Sequence, residues 1–190
     1  MSIAYSVCED IVFHGGTAIW RCFSGKRFSE DLDFYSRTFP DASEEFVKMV
    51  KSHGLTISKL KDTGNVICPS ISNSRATVKI EVNHVTDVKG VETAYELVDG
   101  SSIEIICLSP ENLVIEKIAA YRDRKFIRDL YDIYHLTGYG VEIEAVKKEL
   151  IEFLSHTDKP VDEGVLKSIV YLSLPPSYEK MISTIRRRVS

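Results

Sequence analysis

No stretch of this 190-residue chain approaches the roughly 20 consecutive apolar residues needed to cross a bilayer. Residues 1–10 have neither the basic start nor the apolar run of a secretory signal, so the expected location is the cytoplasm, with no membrane partner. The four cysteines, Cys8, Cys22, Cys68 and Cys107, form no Cys-x-x-Cys pair. That argues against a disulfide framework and for reduced thiols in a core. The five histidines have no metal-ligand spacing, which argues against zinc. Internal repeats and low-complexity tracts are missing too. Nor is there a large excess of either charge: 24 basic against 28 acidic side chains leave a net charge of -4. Any attraction to a polyanion must therefore come from local clusters.

The first half of the chain reads as short strands. Ile11 to Phe13 is apolar and β-prone, Gly15-Gly16-Thr17 breaks it, and Thr17 to Phe23 reads as a helix. Asp31 to Tyr35 alternates polar and apolar residues, as a strand does. Asp41-Ala-Ser-Glu44 has capping-box spacing, and the helix it starts should end near His53 with Gly54 as its stop. Strands are expected over Thr56–Leu60, Asn65–Ile71, Arg75–Asn83 and Ser102–Cys107. The texture changes at Ser109-Pro110, an N-cap followed by a first-turn proline. Helices are then expected over Pro110–Lys125, Arg128–Leu136, Val141–Leu154, Val161–Leu172 and Pro176–Arg187. Strands first and helices after predict an α+β chain with a boundary near Leu108 and a C-terminal helical bundle. Trp20, Phe23, Tyr131 and Tyr134 are expected to pack, and His14 to face solvent. Arg186-Arg187-Arg188 should favour a helix C-terminus.

One strand carries an odd pair. Residues i and i+2 of a strand share a face, about 6.5–7 Å apart, so Asp31 and Asp33 would repel without a counter-charge. A divalent cation removes that repulsion, and Mg²⁺ favours one or two carboxylates plus phosphate oxygens. Glu81, on the polar face of the Arg75–Asn83 strand with Lys79, could complete the set. The Gly15-Gly16-Thr17 turn ahead of a helix offers backbone N–H groups and a positive helix end, both suited to phosphate. Further on, Lys117, Arg122, Arg124, Lys125 and Arg128 face one intervening acid, Asp123. That local basic excess suits a polyphosphate or a polynucleotide backbone.

The stretch "GGTAIWRCFSGKRFSEDLDF" resembles the signature of the AbiEii-type nucleotidyltransferases, a branch of the polymerase-β-like superfamily. The matching positions are Gly15, Gly16, Thr17, Ala18, Arg27, Ser29, Asp31 and Asp33. "VKIEVN" resembles the family's Lys-x-Glu strand and gives Lys79 and Glu81. "EKIAAYRDR" resembles its Lys-x-x-Ala-x-x-x-Arg helix and gives Lys117 and Arg124. "RDLYDIYHL" resembles its Arg-Asp-x-x-Asp helix and gives Arg128, Asp129 and Asp132. These motifs stand in family order within residues 13–136.

The resemblance implies a polymerase-β-like catalytic domain, a mixed sheet with flanking helices, over residues 1–108. Residues 109–190 would then be a helical domain completing the nucleotide or acceptor site. It implies a Mg²⁺-dependent enzyme, with Mn²⁺ as the alternate ion, that moves NMP from an NTP to an acceptor hydroxyl, the 3′ end of tRNA first among acceptors. Asp31, Asp33 and Glu81 would hold the metal, with Lys79 and Asp132 as further catalytic groups. Gly15, Gly16, Thr17, Arg27, Ser29, Lys117, Arg124, Arg128 and Asp129 would bind the nucleotide. The implied biology is the toxin half of a toxin–antitoxin or phage-defence pair, with a winged-helix AbiEi-like antitoxin as partner. Three other readings stay open: transfer to a protein hydroxyl, a nucleotide-binding module without turnover, and a metal-dependent phosphohydrolase.

Overall fold

Alternating residues in the first half of the chain build one mixed sheet. The computed structural model describes residues 1–172 and 174–190. Among the described residues the strands are β1 (Val12–His14), β2 (Leu32–Ser36), β3 (Thr56–Asp62), β4 (Val66–Ser72), β5 (Thr77–His84), β6 (Val91–Glu96) and β7 (Ser102–Cys107). They lie in the order β3-β4-β5-β2-β1-β7-β6. The β2–β5 and β1–β7 pairs are parallel and the others antiparallel. Close contacts divide the chain into two units. The first comprises residues 1–18 and 30–108, and the second residues 19–29 and 109–190.

The first unit holds the whole sheet and two of its covering helices, α1 (Ser2–Val7) and α3 (Phe39–Ser52). Register decides which face is core. Phe13 lies opposite Phe34 across β1 and β2, and their rings meet at 5.1 Å. Tyr5 and Tyr95 close on the same pair edge-on. In β5, Ile80 and Val82 are buried beside Leu32 and Phe34 while Lys79 and Glu81 are exposed. Period two thus sends the apolar residues to one face and the charged ones to the other.

Helix α3 ends as the sequence implies. Gly54 has φ +71°, and the N–H groups of Gly54 and Leu55 return to the carbonyls of Lys51 and Val50. That is a Schellman closure, which a residue without Cβ adopts most readily. The start of α3 corrects the expected capping box at Asp41 and Glu44, because the helix begins two residues earlier, at Phe39. Its first N–H groups are served from outside the helix: Ser36 Oγ accepts from Phe39 N at 2.9 Å, and Asp10 Oδ2 from Thr38 N at 3.2 Å. Asp10 also accepts from the hydroxyls of Ser36 and Thr38. Partial burial works against its charge, but these donors outweigh it and hold the carboxyl well below the usual range. Helix α1 and strand β6 have no counterpart in the sequence expectations.

The second unit contains α4 (Pro110–Arg124), α5 (Ile127–Leu136), α6 (Ile143–Ser155), a 3-10 turn (Glu163–Val165), α7 (Leu166–Ile169) and α8 (Tyr178–Val189). Helix α2 (Gly15–Cys22) begins in the first unit and ends in the second. Ser109 caps α4 as expected, accepting from Asn112 N. Asp162 Oδ1 accepts from Ile127 N at 2.6 Å and so serves the start of α5. The core lies among Leu113, Ile118, Leu130, Ile133, Leu150 and Ile185, with Tyr121 edge-on to Phe153. The helix expected over Val161–Leu172 forms only over Glu163–Ile169, as the 3-10 turn and α7. Residues 169–171 instead run beside 26–28, with Phe28 N donating to Ile169 O and Arg27 bridging Val170. Extended pairing has displaced helix there. The cysteines are all free, Cys8 and Cys107 fully buried.

Candidate active site

In the first unit, β2 and β5 run side by side with Asp33 in register with Glu81. Adjacent strands lie about 4.7–4.9 Å apart, so these two carboxylates are neighbours on one face. Asp31 precedes the strand by one residue and shares their cavity. That cavity, about 250 Å³, is lined by Asp31, Asp33, Lys79 and Glu81, by Lys59 and Lys61 from β3, and by Cys68 and Ser70 from β4. The register explains the set: Lys61 faces Cys68, Lys59 faces Ser70, and Ser70 faces Lys79. Asn83 Nδ2 donates to Glu81 Oε1 at 3.2 Å and steadies that carboxylate.

Gly15 fixes the approach to Asp33. Its φ is +77°, and a Cβ there would stand 2.2 Å from Asp33 Oδ2. Both facts require glycine, one by backbone conformation and one by space. The acid therefore sits directly over the start of α2. Thr17 does not offer its hydroxyl to that space: Oγ1 donates to the backbone carbonyl of Asp31 at 2.6 Å and anchors the strand entry. Gly16 is buried beside it. His14 is buried and stacks on Tyr35 at 3.8 Å, contrary to the expected solvent-facing position.

The donor chemistry fits a hard cation. The acids in the cavity offer oxygen. The Cys68 thiol is held in its protonated form, first by burial and then by the Glu81 charge, so it is a poor soft ligand. Among the described residues no three His, Cys, Asp or Glu side chains are gathered tightly enough to hold a metal unaided. Mg²⁺ suits such a partial set, since it completes its shell with water and substrate phosphates.

The second unit uses its charged residues differently. Arg27 is bidentate to Asp132, with Nε and Nη2 each 2.6 Å from a carboxylate oxygen. Arg124 is bidentate to Asp129 at 2.7 and 2.8 Å. Lys117 Nζ lies between the two acids, 3.1 Å from Asp132 and 3.6 Å from Asp129. Asp129 is 0% and Asp132 1% exposed. Burial alone would raise the Asp132 carboxyl, but Arg27 and Lys117 outweigh it and hold it down. Burial likewise opposes the Arg27 charge, and Asp132 restores it. Arg128 is exposed and stacks over Phe126 at 5.4 Å. Ser29 is half-buried in the turn before Asp31.

Sequence reasoning missed Lys59 and Lys61. Both lie on an exposed strand where their common face becomes visible only through pairing with β4. It also missed the pairing of Arg27 with Asp132, 105 residues apart.

The mixed sheet thus carries two carboxylates in register beside a glycine turn that opens a helix. The fold is similar to that of MenT4, a nucleotidyltransferase toxin from Mycobacterium tuberculosis, with TM-score 0.65 and 20% identity over 96% of this chain and 75% of that one. It is also similar to JHP933 from Helicobacter pylori, with TM-score 0.58 and 20% identity over 99% and 86% of the two chains. A more distant likeness is to the Megavirus polyadenylate synthase, with TM-score 0.50 and 16% identity over 73% of this chain and 30% of that one. No curated protein matches the sequence. Residues 4–188 match the family described as nucleotidyl transferase AbiEii toxin of type IV toxin–antitoxin systems. The chain belongs to that family and is a nucleotidyltransferase, with an NTP as substrate and an antitoxin as counterpart. No helix among the described residues is long and apolar enough to cross a membrane.

Proposed function

We propose that this chain transfers a nucleoside monophosphate from an NTP to a hydroxyl at the 3′ end of tRNA, as the toxin of a pair whose antitoxin is a winged-helix AbiEi-like protein. The observation that carries the chemical part is the shared cavity of Asp31, Asp33 and Glu81 beside the Gly15 turn. Asp31, Asp33 and Glu81 would hold Mg²⁺, which supplies Lewis-acid stabilisation of charge on the phosphate oxygens when bound. The N-terminus of α2 at Gly15 and Gly16 receives the β- and γ-phosphates. Lys79, joined by Lys59 and Lys61, neutralises the remaining phosphate charge. Glu81, oriented by Asn83, takes the proton of the acceptor hydroxyl. The acceptor oxygen bonds to the α-phosphorus as the bond to the bridging oxygen breaks, and pyrophosphate leaves.

The buried cluster of Arg27, Lys117, Arg124, Asp129 and Asp132 takes a supporting role in this reading. Both of its carboxylates are paired with cations within the second unit, so it orders α4, α5 and the 26–28 segment. The test is incubation with each α-labelled NTP, Mg²⁺ and total tRNA, beside Asp33→Asn. Label on RNA that disappears in the variant is expected. Label on protein instead would replace the tRNA acceptor with a protein hydroxyl. NTP binding without transfer to either would reduce the chain to a binding module.

A further inference from the structure

One cavity in the second unit is lined by none of the candidate site residues named above, although Tyr131, Tyr134 and His135 share the α5 helix with Asp129 and Asp132. It encloses about 580 Å³ and is lined by Ser24 and Lys26, by Tyr131, Tyr134, His135, Gly138 and Tyr139 at the end of α5, and by Leu174, Pro176, Lys180 and Arg188 around α8. A volume within about 300–1,000 Å³ suits a nucleotide-sized ligand. Among the described residues three cations and three tyrosines line it, and no carboxylate does. In a chain of net charge -4, that local balance selects an anion.

The aromatic part is ordered. His135 and Tyr139 stack with ring centroids 5.6 Å apart and an angle of 18°. His135 Nε2 is 2.8 Å from the carbonyl of Phe23, and Tyr139 OH accepts from Ser24 Oγ at 3.2 Å. Arg188 lies over the Tyr134 ring at 5.1 Å and donates to Tyr134 O and Thr137 Oγ1. A Cβ at Gly138 would stand 2.6 Å from Arg188 Nη2, so the missing side chain makes room for the guanidinium. Lys26 and Lys180 are exposed, as is Leu174 at 92%.

We infer that this cavity binds single-stranded RNA, stacking a base on the Tyr139 and His135 rings while Lys26, Lys180 and Arg188 take the flanking phosphates. Sequence-tolerant single-strand sites combine these two elements, an aromatic platform and a cationic track. Exposed lysines at the rim favour a continuing strand over an enclosed mononucleotide. Taking that strand as the acceptor rests on the proposed transfer reaction, but the binding itself does not.

The test is fluorescence anisotropy of a labelled single-stranded RNA dodecamer, in EDTA and without NTP, across a salt series. The paired charge reversal Lys26→Glu and Lys180→Glu is expected to weaken binding at least about tenfold and to flatten the salt slope by about 1.4, the value for two lost phosphate contacts. Tyr139→Ala should weaken binding about tenfold with little change in slope. Both lysines are exposed, so an unchanged melting temperature will show that the charge-reversed chain is folded. Asp33→Asn should bind the RNA as the unaltered chain does. Absence of RNA binding, or equal affinity in the charge-reversed variant, overturns the assignment. Binding of AMP that depends on Tyr139 and Lys180, without binding of the RNA, overturns it in favour of a mononucleotide site. Should RNA bind here while no NTP is ever transferred, the transfer reading fails and this one stands.

Discussion

Aspartates do opposite work in the two halves of this molecule. In the first unit, Asp31 and Asp33 border an open cavity, with Glu81 exposed alongside and three lysines across from them. In the second, Asp129 and Asp132 are buried, and each is bound by a bidentate arginine with Lys117 between them. An acid at a wet surface can be presented to a cation and a phosphate at little cost to folding. A buried acid must have its charge matched by its own chain, because desolvation is otherwise far too expensive. Motif resemblance treats these aspartates alike. Burial separates the acids that border an open cavity from the acids paired with cations inside the helical unit.

That contrast predicts opposite phenotypes. Asp132→Ala leaves the Arg27 guanidinium buried without its carboxylate and should lower stability by about 3–5 kcal/mol, read by thermal or denaturant unfolding. An unchanged unfolding midpoint would erase the distinction between the two halves. Asp33→Asn should instead leave the midpoint nearly unchanged while nucleotide transfer falls on the order of a hundred- to a thousandfold, as when one group that stabilises developing charge is removed. Gly15→Ala sharpens the comparison by reaching the open acid through the backbone. It should cost about 1–3 kcal/mol from the positive φ and also depress transfer, because the new methyl must displace the Asp33 carboxylate.

The smallest effect concerns acid. Asp132 and Asp10 both have carboxyls held below their ordinary value in the folded chain. Each therefore contributes stability that is fully present above the unfolded carboxyl value, about 3.9, and is lost as the pH falls through the lower folded value. Unfolding midpoints should be flat from neutrality to about pH 5 and fall below about pH 4. Asp10→Asn should lower the midpoint modestly at pH 7 and soften that acid decline. A variant whose acid limb matches that of the unaltered chain would deny Asp10 its role at the start of α3.

Much of this architecture is legible in local pattern. The alternation of Val78, Ile80 and Val82 with Lys79 and Glu81 places β5 and its charged face, and Ser109-Pro110 fixes the first turn of α4. Gly54 marks the end of α3 by the same local logic. What escapes is set by distant partners. Ser36 and Asp10, not Asp41, organise the start of α3, and the chain turns extended at Val170 because Arg27 lies beside it. Val91–Glu96 becomes a strand by pairing with β7, with Tyr95 packed on Phe13. The acids of the candidate site could be found because two of them sit one residue apart. The lysines of β3 could not, since nothing in their own segment says which strand they will face.

The bridge from Arg27 to Asp132 bears on how this protein can be taken apart. A truncation that keeps only residues 109–190 looks reasonable, since the helices run there without interruption. It would nonetheless discard the bidentate one of the two counter-ions of a buried aspartate, together with the short extended segment that lies along residues 169–171. A workable helical fragment must carry residues 19–29 with it, either as a separate peptide supplied in trans or through a rearranged chain order.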